Sequence, residues 1–466
     1  MSNDKTSASE TKESIAYALE QYRGGNYHEV ERVCRELLAT EPNRIDVLQV
    51  LAAFSWRLEK LKQALNFYKR LAQLEPNNSS YYVSMGRISY IQNSAKECLE
   101  FYRKAQSLEP HSSAICFNLG VACAEFGYTT DAISWFERVL EIEPENIGAG
   151  WNRAISLLMS GDLKGGFAEY EKYPWQHRRE FFKAPDCFPE PIWDGSEVNG
   201  KTILLHADEG YGDTIQFIRY APLVQEAGAE VIFACPQPLL RLFSVVQGIH
   251  RLVKEDALPK FQVHAPLLRL PYCLSTTLDT IPREIPYIHF PNLQLQFPDS
   301  LPTIPYIPET TKIKVGMVWV SGAREREKRL GLREGNSTRD CPLSYFTRLL
   351  AVEGVTLFSL QVGEYSSELD SFRNEERIQN LSPLIEDFAD TAALINQLDL
   401  VISVDTAVAH LAGAMGKLVW TLLPSFPDWR WSWYPTMRLF RQSSPGDWDG
   451  VFAQVLPALR LIGDKN

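Results

Sequence analysis

The sequence predicts an α + α/β protein: an N-terminal helical solenoid followed by two α/β units, each built on a parallel sheet. Three observations predict it. The dipeptide Glu-Pro recurs at Glu41-Pro42, Glu75-Pro76, Glu109-Pro110 and Glu143-Pro144, a step of 34 residues. From Lys201 the period changes to strand, turn, helix. A proline-rich stretch then divides that second part in two. The expected boundaries are a disordered lead-in at 1–10, a solenoid at 11–180, a first α/β domain at 190–305 and a second at 310–466.

The repeat is carried by several columns in one phase. Small residues recur at Ala18, Ala52, Gly86, Gly120 and Ala154, and again at Val30, Ala64, Cys98, Ala132 and Gly166. A mostly aromatic column runs Cys34, Tyr68, Tyr102, Phe136, Tyr170. Small residues let two helices approach, the aromatic fills the next groove, and proline ends the second helix. The unit resembles the tetratricopeptide repeat, whose period is ~34 residues. Four good repeats and a degenerate fifth from Ile147 are expected. Stacks of this kind offer a concave surface for a peptide or a partner protein.

In the second part, residues 202–207, 229–235, 312–320, 355–361, 400–405 and 419–424 read as buried strands. The run 210–228 reads as a turn and one helix, and 236–246 as another helix. Pro291, Pro298, Pro302, Pro305 and Pro308 mark a linker, and 447–462 a terminal helix. This alternation implies two Rossmann-like domains facing a cleft. Ligands of such sheets lie beyond the carboxyl ends of the strands.

Composition bounds the partners. The 466 residues carry a formal charge of −11, with 23% charged and 45% hydrophobic residues. An acidic chain does not grip nucleic acid nonspecifically, which takes clustered Lys and Arg. No apolar run is long enough for a membrane span and no signal peptide is visible, so a cytoplasmic protein is expected. The eight cysteines form no CxxC pair, as a zinc site or a redox motif would require.

Three segments are candidates for chemistry. The loop after the first strand reads Asp208-Glu209-Gly210-Tyr211-Gly212-Asp213-Thr214. Gly210 and Gly212 permit a tight turn at a helix entrance. Position 215 is Ile, so the third glycine of a dinucleotide fingerprint is missing, and Asp213 sits where a pyrophosphate would lie. That argues against an NAD-dependent enzyme. Asp213 is then either a helix cap or a general base facing the cleft. The second segment runs Val404-Asp405-Thr406-Ala407-Val408-Ala409-His410. A buried strand feeding a helix entrance there could hold phosphate oxygens on backbone N–H groups, with Asp405, Thr406, Ala407 and His410 around them. Plain capping by Asp405 and Thr406, and a core role for His410, are the alternatives.

The third segment, Ser321 to Asp340, includes Gly322, Lys328 and Arg339 in a basic loop able to clamp a diphosphate, or else a solvated loop of mixed charge. Asp390 and Thr391 cap the next helix and are also donor-side candidates. Asp447-Trp448-Asp449 has the D-x-D spacing of metal-dependent sugar transfer, but its place beside Gly446 and Gly450 favours capping. No hydrolase elbow or phosphate-binding GKS/T loop occurs.

LLHADEGYGDTIQFIRYAPL, VGMVWVSG, FSLQVG, DFADTAALINQLDLVISVDTAVAHLAGAMG, LPSFPDWRW and WYPTMRLFRQ together resemble the bacterial tetratricopeptide-repeat glycosyltransferases, whose catalytic half is heptosyltransferase-like with a GT-B fold. The resemblance implies an inverting, metal-independent enzyme that needs no cofactor. It would take a sugar from a nucleotide-sugar donor to a protein acceptor held by the repeats, and flagellin is one such acceptor. It implies Asp213 as catalytic base. Gly212, Ser321, Gly322, Lys328, Arg339, Gln361, Asp390, Thr391, Asp405, Thr406, Ala407 and His410 fall on the donor phosphate and nucleotide side. Related chains often carry Gln where this one has Glu209, which adds a negative charge beside the base. The rival expectation is a degenerate scaffold or a nucleotide-sugar sensor.

Overall fold

The computed structural model describes residues 15–172, 188–207, 210–322, 339–372, 374–425 and 429–463. The lead-in at 1–10, Cys187, Asp208, Glu209 and Lys328 lie outside the described residues. The chain divides into two compact units, Met1–Ser156 and Leu157–Asn466.

The first unit is a run of paired helices. They are α1 (15–23), α2 (Tyr27–Thr40), α3 (Ile45–Arg57), α4 (Leu61–Leu74), α5 (Ser79–Ile91), α6 (Ala95–Leu108), α7 (Ser113–Glu125) and α8 (Thr129–Ile142). A fifth pair, α9 (Ile147–Ser160) and the short α10 (Leu163–Tyr170), crosses the unit boundary. The repeat columns have the packing role expected of them. A Cβ on Gly86 would come within 2.7 Å of the Tyr102 ring, and one on Gly120 within 2.6 Å of the Phe136 ring. The small column therefore admits the aromatic column directly.

Each Glu-Pro glutamate is a helix C-cap. Glu41, Glu75, Glu109 and Glu143 have φ of −127°, −127°, −128° and −131°. A residue before proline is pushed out of the α region, so the dipeptide itself stops the helix. The carboxylate can then fasten the turn or helix beyond it. Glu75 accepts from the Tyr81 hydroxyl at 2.6 Å, and Glu143 accepts from the Asn146 amide at 2.8 Å. The turns inside the pairs share a period that no residue type reveals. Gly25, Glu59, Asn93, Gly127 and Gly161 all have positive φ, at 78°, 56°, 55°, 80° and 91°. The left-handed position is kept even where a side chain makes it costly.

The second unit holds two parallel sheets. The first has order β3-β2-β1-β4, from β1 (Thr202–His206), β2 (Glu230–Cys235), β3 (Arg251–Lys254) and β4 (Val263–Pro266). The second has order β10-β9-β8-β5-β6-β7, from β5 (Ile313–Val318), β6 (Val355–Ser359), β7 (Ile378–Asn380), β8 (Leu400–Val404), β9 (Val419–Leu423) and β10 (Met437–Arg441). All pairings within both sheets are parallel. The six strands expected from sequence are β1, β2, β5, β6, β8 and β9.

Two expectations are corrected. The single helix over 210–228 is α11 (Tyr211–Phe217), a 3-10 turn at Ile218–Tyr220 and α12 (Ala221–Glu226). Pro222 has no N–H to continue the α11 ladder, and it suits the first turn of a new helix. The proline stretch is not all linker. Pro291 opens a short helix, Phe290–Gln296, by the same rule. In the second sheet, α13 (Phe388–Asn396), α14 (Ala407–Ala414) and the terminal α15 (Trp448–Gly463) come after β7, β8 and β10. Trp319, Phe346, Trp448 and Phe452 fill the core between that sheet and α15. Among the described residues, no helix is long and apolar enough to cross a membrane.

Gly120→Ala tests the small-aromatic column. The added methyl collides with Phe136, so a loss of about 1–3 kcal/mol is expected. Chemical denaturation of the full chain measures it, and an unchanged midpoint for the repeat transition would show that the helices separate without cost.

Candidate functional site

β1 and β8 deliver the two motifs to one place. α11 starts at Gly210, which is the N-cap and offers no side-chain cap. Asp213 lies in its first turn and caps nothing. Its carboxylate instead receives Arg430 Nη1 at 2.6 Å. Gly212 lies against α14: a Cβ there would be 2.8 Å from His410 Cδ2, 3.4 Å from Nε2 and 3.5 Å from the Ala407 Cα. Only glycine lets the two helix entrances touch. Asp213 and His410, far apart in sequence, therefore face one junction.

α14 begins at Thr406, with φ −145° and ψ 163° and no side-chain cap. The Thr406 hydroxyl is 2.7 Å from Ser403 Oγ instead. First-turn N–H groups without a cap are left to an outside acceptor. Asp405 is held by an ion pair with Arg339. β5 and β8 are neighbours, with Val318 opposite Ser403, so the chain at 319–322 leaves the sheet beside 404–406. Ser321 donates its N–H to Asp340 Oδ1 at 2.8 Å. Its buried hydroxyl has no partner among the described residues. Gly322 faces open space.

His410 is buried and built into a second-layer network. It stacks on Trp431 at 4.1 Å between ring centres, 21° from parallel. Its Nδ1 is 2.9 Å from the Tyr434 hydroxyl. A Cβ on Gly413 would be 2.5 Å from the Tyr434 ring, so that glycine seats the tyrosine on α14. Tyr287 donates its hydroxyl proton to Ile215 O at 2.9 Å and accepts from Arg219 at 3.1 Å. Tyr434 lies 3.4 Å from Tyr287 but 2.9 Å from His410. Assigning the Tyr434 proton to the shorter contact gives it to Nδ1 and puts the ring proton on Nε2, the side towards Gly212.

Arg219 anchors this layer. It is buried, and it donates to the carbonyls of Gln216 (2.8 Å), Pro282 (3.1 Å) and Trp433 (3.2 Å). The Tyr287 and Tyr434 rings lie 4.7 and 4.6 Å from its guanidinium carbon. Burial acts to lower its pKa, but Tyr287, Tyr434 and Tyr220 together turn the net shift upward, so the charge is kept. Gln216 donates to Arg430 O at 2.8 Å, which holds the arginine in reach of Asp213.

Three expected residues have other partners. Gln361 accepts from the N–H groups of Trp319 (3.2 Å) and Val320 (3.0 Å), tying the ends of β5 and β6. Asp390 closes a capping box with Asp387 at the start of α13, and both carboxylates pair with Arg241 from the first sheet's half. Thr391 donates to Asp387 O at 3.2 Å. The structure does not bring these three to the Gly212–His410 junction by any contact among the described residues. Asp447 accepts from Gly450 N–H at 2.9 Å and from Ser443 at 2.5 Å, and Asp449 from Arg348 at 2.7 Å, as capping and surface pairing require. Sequence reasoning did not find Arg219, Tyr287 or Arg430. Only the density of aromatics in 429–434 hinted at that segment.

The strand entering the first motif ends in a buried histidine pair. His206 Nε2 is 3.2 Å from His264 Nδ1, with Phe188 packed on both rings. Burial first, then the neighbouring His264, pushes the His206 pKa down to about 3. The unfolded chain binds this proton first. Stability from His206 is therefore full above the ordinary value of 6.5 and falls as pH drops towards 3. The expected loss approaches about 1.4 kcal/mol per pH unit below that value. Thermal melts of wild type and His206→Gln from pH 7.5 down to about 4.5 check it: the variant should show the weaker acid dependence, and parallel curves would remove the pair from the account.

Comparison with known proteins joins the two halves. Residues 366–431 match the profile of glycosyltransferase family 9 (heptosyltransferase), and residues 113–146 match that of the tetratricopeptide repeat. The first match contains β8, the Asp405–His410 segment and Arg430. Protein FlbA of Caulobacter vibrioides is 26% identical over 342 residues, which cover 66% of this chain and 54% of FlbA. The chain thus spans about half the length of this curated relative. Among solved structures, MamA from Desulfovibrio magneticus is 17% identical with a TM-score of 0.33, covering 35% of this chain and 92% of that one. YrrB, described as a TPR protein with an unusual peptide-binding site, is 16% identical with a TM-score of 0.32, covering 34% of this chain and 82% of that one. Both structural likenesses are confined to about a third of the chain.

Proposed function

We propose that this protein is an inverting, metal-independent glycosyltransferase of GT-B, heptosyltransferase-like architecture, acting in the cytoplasm. It moves a sugar from a nucleotide-sugar donor to a protein acceptor held by the repeats. Flagellin is the acceptor that the sequence resemblance names. The observation that carries the reading is the contact of Gly212 with His410, because it sets a carboxylate beside an uncapped helix entrance.

In this reading Asp213 takes the proton from the acceptor hydroxyl as its oxygen attacks the anomeric carbon. The departing nucleoside diphosphate is held by the N–H groups at 406–407, by His410 Nε2–H and by Arg339, a preorganised set of donors. Arg430 pairs with Asp213. A bound diphosphate competes for that guanidinium and frees the carboxylate. Asp213→Asn should abolish transfer, read as intact mass of acceptor proteins, while nucleotide binding by calorimetry survives. Transfer at the wild-type rate would refute the base assignment.

Tyr434→Phe tests the histidine. Without the phenol proton at Nδ1 the imidazole is free to change tautomer. The affinity for the donor nucleotide should fall about tenfold, the value of one hydrogen bond of ~1.4 kcal/mol. An unchanged Kd would mean that His410 does not touch the ligand.

The Asp213–Arg430 ion pair also favours a second reading, because a carboxylate oxygen already occupied by a guanidinium is not open to an acceptor hydroxyl. A nucleotide-sugar sensor would bind the donor and neither transfer nor hydrolyse it. The same calorimetry and mass measurements separate the two.

A further inference from the structure

The first unit carries a groove of about 840 Å³ over its first three repeats. Tyr22, Trp56 and Tyr68 form its aromatic walls, and Arg57, Glu59 and Arg87 its charged ones. Tyr22 and Trp56 occupy the same position in successive repeats. Each supports a guanidinium. The Arg57 Cζ is 5.3 Å from the Tyr22 ring and 5.7 Å from the Tyr27 ring, and the Arg87 Cζ is 5.1 Å from the Trp56 ring.

Both arginines are exposed, and neither forms an ion pair with a carboxylate among the described residues. Other arginines of the same unit behave differently. Arg32, Arg35, Arg44, Arg103 and Arg138 each face an acid. The aromatic side chains hold both guanidiniums in place without neutralising them, and Arg57 also reaches the Tyr22 and Tyr27 hydroxyls. Glu59 is the single acid among the residues lining the groove. In a chain of net charge −11, two guanidiniums without a carboxylate partner in one aromatic groove are a local exception that calls for negative charge from outside.

We propose that this groove binds an extended, acidic stretch of polypeptide, the recruiting segment of the acceptor. Its carboxylates meet Arg57 and Arg87, and the aromatic walls cover the apolar side chains between them. The proposal takes from the function above only the identity of the protein that supplies the segment.

Fluorescence anisotropy of the full chain tests it without a donor sugar. The probe is a labelled Gly-Glu-Tyr-Glu-Gly-Glu-Tyr-Glu-Gly peptide, and its counterpart carries Gln for every Glu. The acidic peptide should bind at least about tenfold tighter at low ionic strength, and the preference should shrink when salt lowers the Debye length to a few ångströms. Arg57→Gln with Arg87→Gln should erase the preference, Glu59→Gln should strengthen it, and Arg138→Gln, outside the groove, should leave it unchanged. Arg57→Lys with Arg87→Lys keeps the charge, loses the stacked fork, and should fall between wild type and the Gln pair.

Equal binding of the two peptides would overturn the proposal. So would a preference that survives the double Gln variant, or tighter binding of a labelled single-stranded oligonucleotide. None of these outcomes depends on glycosyl transfer. A chain that passes this test and transfers no sugar would contradict only the function proposed above.

Discussion

A buried cation with no carboxylate partner among the described residues governs the second unit. Arg219 gives its N–H groups to three carbonyls and a phenol, and lies between two tyrosine rings. A buried charge is tolerated only when its donors are met, and here each acceptor belongs to a segment that must therefore stay put. Gln216 fixes the end of α11, Pro282 and Tyr287 the segment that follows β4, and Trp433 and Tyr434 the segment after β9. That clamp sets the positions of Arg430 on Asp213 and of Tyr434 on His410. It also sets the fit of Gly212 against α14, since α11 is held from its far end.

The site keeps its own counter-ions. Asp213 faces Arg430, Asp405 faces Arg339, and the Asp387–Asp390 box faces Arg241. In every case the arginine comes from a different segment than the acid, so each pair also fixes chain geometry. An acidic protein thereby holds Arg430 and Arg339 beside the two helix entrances, and Arg241 at a separate one, without being basic overall. In the proposed function an entering diphosphate would meet cations already placed, and the low-dielectric surroundings of His410 and Trp431 would strengthen each contact. The repeats hold cations by other means: there, aromatic rings rather than acids lie beside Arg57 and Arg87.

Legibility in the sequence runs along physical lines. Repeat columns are legible because one contact, a glycine under an aromatic ring, recurs in register at Gly86–Tyr102 and Gly120–Phe136. The six interior strands are legible because both of their faces are buried and they read as apolar runs. The four strands missed, β3, β4, β7 and β10, are all sheet edges. β3, β4 and β7 are the shortest strands, and β3, β7 and β10 carry exposed or charged residues, so no apolar run announces them. The site divides the same way. Asp213, Asp405 and His410 stand at strand–helix turns, where local pattern points. Arg219, Tyr287 and Arg430 matter only through contacts made by folding, and nothing local marks them. Gln361 and Asp390 show the converse, polar residues at strand and helix ends whose atoms are spent on the backbone.

The central claim is that the two helix entrances form one donor site. A crystal structure of the full chain with a nucleotide-sugar bound tests it most directly. The account predicts diphosphate oxygens within hydrogen-bond distance of the N–H groups at 406–407 and of His410 Nε2, with the sugar's anomeric carbon turned towards Asp213 and Arg430 drawn off the carboxylate. A nucleotide seated away from the Gly212–His410 junction, with the Asp213–Arg430 pair intact, would contradict it.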